Sequence, residues 1–172
     1  MRRFFVLTFD ECGVPGASRA NWGAFDYLSL WSGQPVAPDA LRNARLHFDA
    51  SHSVDLVPNT FAITIVSSRL LECVRHLLQA TDRCLPAPIF DLKSETHVEG
   101  YHIIHSTCLL DALARPLSSV SDITLNAAQI PDHAHIFRLE RHKTVTLISD
   151  EVLSCITGRG FKGIALLPTK TA

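Results

Sequence analysis

Nine histidines and five cysteines in a chain of 172 residues are the raw material for a metal centre or a nucleophilic site, and their spacing supports neither. The tightest cluster is Asp132-His133-Ala134-His135. Two imidazoles two residues apart can chelate from an extended segment. A zinc site takes three or four ligands, however, and no second cluster in the sequence supplies the remainder. His102 and His105 stand three apart on a segment that reads as a strand, so they point to opposite faces and cannot share an ion. Among the thiols, Cys12 follows Asp10 and Glu11, and adjacent carboxylates disfavour the thiolate that a nucleophile requires. Cys84 reads as a loop residue, the other thiol expected to be exposed. There is no GxSxG elbow, HExxH pair, GxGxxG turn or GKS/GKT loop. No catalytic residue, cofactor or metal is expected.

Charged side chains remain. Glu95 and Glu99 lie in the polar stretch Lys-Ser-Glu-Thr-His-Val-Glu-Gly over residues 93–100. A connector is a poor frame for acid–base work, so the two acids read either as a solvated loop or as an acidic contact for a basic partner. Glu140-Arg141-His142-Lys143 reads as a solvated turn or as the rim of an interface. The candidate partner-binding residues are therefore Glu95, Glu99, Glu140, Arg141 and His142. Trp22, Tyr27, Trp31 and Tyr101 are the aromatic side chains suited to anchoring a partner, a role they share with core packing.

The elements that position these residues come from periodicity and punctuation. Residues 3–9 read as a strand, 13–16 as a turn around Pro15, and 22–31 as a short helix or irregular cover. Short strands are expected at 46–48 and 55–57. Residues 62–66 form an apolar strand, after which Ser67 is placed to cap a helix. In that helix Leu70, Leu71, Val74, Leu77 and Leu78 recur at helical spacing, and it runs to near Asp82. A linker with Pro86 and Pro88 follows, then strands at 89–92 and 101–105, a helical turn at 108–117 and a strand at 122–125. Residues 136–140 and 144–148 alternate as a hairpin. Ser149 caps a second helix with Asp150 and Glu151 in its first turn, and residues 161–167 close the chain's pattern with a strand.

Two of these stretches match. Val145-Thr146-Leu147-Ile148-Ser149 repeats Ile63-Thr64-Ile65-Val66-Ser67, and Leu153 and Cys155 repeat Leu71 and Cys73, all at an offset of 82 residues. Cys73 and Cys155 fall on apolar positions and read as small buried hydrophobes. Strands mixed with a few amphipathic helices, not strictly alternating, indicate an α+β fold with a mixed, mostly antiparallel sheet. The echo predicts two strand–helix–strand units sharing one sheet. A single domain over 1–172 is expected, less regular over 1–60 and with its core units over 61–172.

Composition bounds the partners. With 47% hydrophobic and 19% charged residues the chain is a folded protein. A net charge of −1 with no basic block argues against nucleic acid. The apolar run after Arg2 and Arg3 is too short for a secretory core, no stretch is long enough to span a membrane, and scattered unpaired cysteines suit a reducing compartment. A cytoplasmic protein that touches no membrane is expected.

Three runs also carry a family likeness. Ile136-Phe137-Arg138-Leu139, Leu147-Ile148-Ser149-Asp150-Glu151-Val152 and Gly160-Phe161-Lys162-Gly163-Ile164 resemble the end of the eleventh family of bacterial polymorphic-toxin immunity proteins, also described from a myxobacterial member. Residues 65–70, 101–104 and 110–113 look like its middle, and Leu30-Trp31-Ser32-Gly33 is weakly similar to its start. The resemblance implies a small α+β protein made beside a toxin, which it binds and neutralises in the producing cell or its kin. It implies no enzyme activity and no cofactor, and it is compatible with a homo-oligomer. Two other readings stand beside it: a small Cys/His hydrolase that reverses a toxin's modification, and an adaptor or chaperone for a secreted effector.

Overall fold

The computed structural model describes residues 2–10 and 16–172. Cys12 and all but the last residue of the turn expected at 13–16 lie outside them. Among the described residues thirteen strands, β1 to β13, and two α-helices, α1 and α2, follow in chain order. Most ladders are antiparallel, as expected of this α+β chain. Strands β1 (Phe4–Phe9), β8 (Leu109–Leu110), β10 (Ile136–Leu139), β11 (His142–Ser149) and β12 (Ile164–Pro168) form one sheet in the order β12-β1-β11-β10-β8. A second sheet joins β4 (Thr64–Ser67), β7 (Tyr101–His105) and β5 (Arg83–Pro86) in the order β4-β7-β5. A third, ordered β2-β3-β6, consists of β2 (Arg19–Asn21), β3 (Arg45–Phe48) and β6 (Ile89–Asp91). The small parallel pair β9 (Thr124–Leu125) and β13 (Lys170–Thr171) completes the set.

The echo is a structural repeat. In one unit β4 leads through α1 (Ser68–Val74) to β5, and in the other β11 leads through α2 (Asp150–Ile156) to β12. Between the two strands of each crossover lies a third, antiparallel to both: β7 in the first unit and β1 in the second. The registers correspond residue by residue. Ile65 and Leu85 flank Ile103 as Leu147 and Leu167 flank Val6. Val66 and Pro86 flank His102 as Ile148 and Pro168 flank Phe5. The offset of 82 residues therefore runs without insertion from 64–86 onto 146–168, and it is also the separation of two contacting pairs. Thr64 Oγ1 lies 3.3 Å from Thr146 Oγ1, and Cys73 Sγ donates to the Cys155 carbonyl at 2.9 Å. Equivalent residues that touch each other mark a local two-fold relation.

The expectation of one shared sheet is corrected. Both edges of β11 are taken, by β1 and β10, which leaves no ladder for β4. The units meet instead through their helices and apolar faces, where Val66, Leu70 and Val74 pack in one cluster with Ile148, Val152 and Ile156. The strand expected at residues 3–9 is β1, which sits at the centre of the second unit.

Other local expectations shift for identifiable reasons. The first helix ends at Val74 and tightens into a 3-10 turn at Arg75–Leu77 rather than running to Asp82. The segment that reads as a proline linker is β5, whose Pro86 ends an edge strand, a position that spares the ladder a lost donor. Residues 108–117 hold β8, paired parallel with β10, in place of a helical turn, and 55–57 contribute a lone bridge between Leu56 and Val66. Ser67 caps as expected, accepting from the Leu70 amide at 3.2 Å. Ser149 occupies the equivalent cap position but caps no amide; its hydroxyl lies 3.1 Å from His135 Nδ1.

Gly163 fixes how β12 enters its sheet. Its φ is +80°, and an added Cβ would stand 2.6 Å from the Leu56 carbonyl oxygen. Gly163→Ala should therefore lower stability by about 2 kcal/mol or more, because strain and backbone overlap add. Gly158→Ala, at φ +74° with nothing within 4 Å, should cost only about 1 kcal/mol. Urea unfolding of the two variants tests the difference.

Candidate functional site

The third sheet presents the most distinctive surface. In its antiparallel ladder Arg19 faces His47 and Asn21 faces Arg45, and in the parallel ladder His47 neighbours Phe90. The two-residue period of a strand puts all five on one side. It turns Leu46 and Ile89, both fully buried, to the core on the other. The five polar and aromatic positions thus have an apolar foundation, packed with Leu41, Ile65 and Leu85.

The connector that carries Glu95 is held more firmly than its composition suggests. The Asp91 carboxylate accepts from the Ser94 amide at 2.8 Å, from Ser94 Oγ at 2.7 Å and from the Ala50 amide at 3.1 Å. These bonds, those from Ser94 first, hold the Asp91 carboxyl below its ordinary value. The Glu95 amide donates to the Asp91 carbonyl, the Asp91 amide to Thr96 and the Val98 amide to Ile89. Glu95 itself adopts a positive φ of 56°. The turn folds back over the sheet, and His97 pairs with Phe90 in an isolated bridge.

Between turn and sheet lies an open pocket of about 400 Å³ lined by Arg19, Ala20, Asn21, Arg45, His47 and Glu95. The Arg45 guanidinium sits 4.8 Å above the Phe90 ring, and His97 meets the same ring edge-on at 5.4 Å. Among the described residues neither Arg19 nor Arg45 forms an ion pair, with Glu95 or with any other acid. His47 is 6% exposed, makes no hydrogen bond among the described residues, and has its Nδ1 sealed without a partner.

The five sequence candidates do not converge. Glu95 rims this pocket, while Glu99 is exposed near the end of the same connector. Glu140, Arg141 and His142 lie at the β10–β11 turn in a different sheet, where Arg141 reaches Asp111 at 3.4 Å. No hydrogen bond or ion pair among the described residues links 93–100 to 140–143. Three of the four aromatic candidates form a half-buried cluster against the core: Trp22 stacks on Tyr27 with centroids 5.2 Å apart, and Trp31 meets Tyr27 edge-on at 5.7 Å. Tyr101 instead donates its hydroxyl to the Val54 carbonyl at 3.0 Å. Sequence reasoning passed over Arg19, Asn21, Arg45 and His47. The signal was the alternation in Arg-Ala-Asn and Arg-Leu-His, polar side chains around one apolar residue.

The cysteine and histidine candidates find other employment. Cys84 is in β5 and half-buried rather than exposed in a loop. Burial pushes the Cys73, Cys84 and Cys108 thiols up, away from the thiolate. His102 Nε2 lies 2.9 Å from Ser68 Oγ, and His105 turns the other way, toward the carbonyls of Leu30 and Gln34. His135 Nδ1 is 3.1 Å from the Arg2 guanidinium. Among the described residues no three His, Cys, Asp or Glu side chains are grouped to hold a metal, and no helix is long and apolar enough to cross a membrane. No protein-family model matches the chain, and no curated protein matches it.

Proposed function

We propose that this protein is an immunity protein that binds a cognate bacterial toxin and neutralises it in the cytoplasm of the producing cell. The observation that carries the reading is the face built by Arg19, Arg45, His47, Phe90 and Glu95. It offers unpaired charge beside an aromatic ring on a hydrogen-bonded frame, the combination that protein interfaces favour. The resemblance of residues 136–168 to the immunity family supports it. Inhibition by binding needs a stable scaffold and a complementary surface of on the order of 800 Å² per partner, with no reacting group on the inhibitor.

The test is co-expression with the product of the adjacent gene. Growth should be arrested by that product alone and restored by this chain, and the two should co-purify. Arg19→Glu with Arg45→Glu, both exposed, should weaken the complex at least about tenfold, since reversed charges repel what the native ones attract. Unchanged binding would remove this face from the interface. A stable complex that leaves growth arrested would favour the adaptor reading. Restored growth without any complex would favour an enzyme that undoes the toxin's modification.

A further inference from the structure

We propose that the pocket between β2, β3 and the Glu95 turn is a carboxylate seat, and that its occupant is an acidic side chain presented by the bound protein. The proposal rests on the toxin-binding reading and names the chemistry it uses at this site.

Three features set the pocket apart from an ordinary solvated charged surface. Arg19 and Arg45 occupy diagonal positions of an antiparallel pair, a spacing of roughly 7–8 Å that lets two guanidiniums close on one small anion. The Arg45 guanidinium lies over the Phe90 ring, a contact that holds its head beside the pocket and leaves its N–H groups to form the paired bonds that carboxylates accept. His47 lines the same pocket and is more than nine-tenths buried, with Nδ1 sealed and unpartnered. A sealed nitrogen without a hydrogen bond is a burden on the fold, and Nε2, which makes no hydrogen bond among the described residues, is the imidazole atom left to meet a ligand.

Charge selects the ligand. Two guanidiniums against the one Glu95 carboxylate leave a single positive charge. One further carboxylate neutralises it, whereas a doubly charged phosphate would overshoot. The seat is therefore matched to Asp or Glu side chains, as expected of an Arg cluster that reads acidic motifs. In this setting Glu95 is the gate: it repels weak anions and yields to a carboxylate held in place by the surrounding interface. The partner surface at this point is acidic, opposite in sign to one that Glu95 by itself would attract.

A fluorescein-labelled hexaglutamate peptide is the probe, titrated by anisotropy into the full chain at low salt, with hexalysine as control. The wild type should bind hexaglutamate and ignore hexalysine. Arg19→Ala with Arg45→Ala should weaken binding at least tenfold, and Glu95→Gln should strengthen it severalfold. Both arginines and Glu95 are exposed, and thermal melting verifies that each variant is folded; should the double variant melt early, Glu95→Gln decides the matter by itself. Equal affinity in all three proteins overturns the seat, and so does inorganic phosphate that displaces the peptide at concentrations where acetate has no effect. The toxin assay is read separately. If the double arginine variant binds no hexaglutamate yet protects cells as well as wild type, the partner's acidic side chain is not the occupant. If the adjacent gene product proves harmless while the peptide results hold, the immunity reading fails and the carboxylate chemistry stands.

Discussion

Arg138→Met should make this protein more stable, by about 1–3 kcal/mol, while Arg138→Ala should destabilise it by about 2 kcal/mol. Arg138 is 1% exposed and heads the fully buried side chains by volume. Burial pushes its guanidinium down to about 10, against a weaker opposing pull from Asp82. Holding that charge indoors costs about 3 kcal/mol at neutral pH. The sign follows from the depressed folded value: the penalty is complete below about 10 and is relieved only as the pH rises through it. The return is one hydrogen bond, from Nη1 to the Leu30 carbonyl at 2.8 Å, while Nε has no partner. That carbonyl also faces His105 Nδ1 at 3.1 Å, so it is not orphaned when Arg138 is replaced as long as Nδ1 carries the imidazole proton. Methionine keeps the volume and removes the charge; alanine removes the charge and opens a cavity. Urea unfolding at pH 7 separates the two, and the melting temperature of the Met variant should rise by about 2–4 °C per kcal/mol. A Met variant less stable than wild type by more than about 1 kcal/mol would show that the Leu30 bond outweighs the buried charge.

Arg138 also shows where sequence reading stops. The strand, cap and helix of 64–74 and the strand and helix of their echo at 146–156 were legible because each is written locally, in alternation and helical spacing; the serine at the second helix start marked the boundary without capping it. Even the contact of Thr64 with Thr146 was latent in the constant offset. What was not legible depends on pairings between distant segments. Pro86 and Pro88 read as breakers, and only the β7 ladder shows that 83–86 is a strand. Leu109 and Leu110 become a strand only because Arg138 and Leu139 lie beside them. The candidate site obeys the same rule. Glu95 could be singled out from its loop, but Arg19 and Arg45 acquire a shared purpose only when β2 pairs with β3. The hairpin that Glu140, Arg141 and His142 close is readable from its alternation, but nothing local tells that it joins a different sheet from the one Glu95 covers.

Asp55→Asn should destabilise the fold by about 3 kcal/mol, the low end for breaking a buried ion pair because Arg69 is itself 58% exposed on its side chain. Asp55 is 7% exposed, and its carboxylate gathers three segments. Oδ1 accepts from Ser67 Oγ at 2.6 Å and Arg69 Nε at 3.2 Å, and Oδ2 accepts from an Arg69 Nη at 2.7 Å and the Lys162 amide at 2.9 Å. All four contacts are donors. An asparagine offers one accepting oxygen and turns its own NH2 toward the other two, so the loss is an unsatisfied donor pair as well as a charge. The same residue holds the two repeat units together, since Ser67 opens α1 and Lys162 leads into β12. Burial by itself would raise the Asp55 carboxyl, and the hydrogen bonds from Arg69, Ser67 and Lys162 outweigh it to leave the group below 3.8. With the folded value depressed, the stabilisation is complete above the unfolded value and is lost as the pH falls through the folded one. Wild type and Asp55→Asn should therefore differ most at neutral pH and converge as the pH drops below 3.8. Urea midpoints at pH 7 and pH 3 test both halves of the claim. A gap that stays constant across that range would mean that the carboxylate's charge does not matter and that the loss comes from local packing alone.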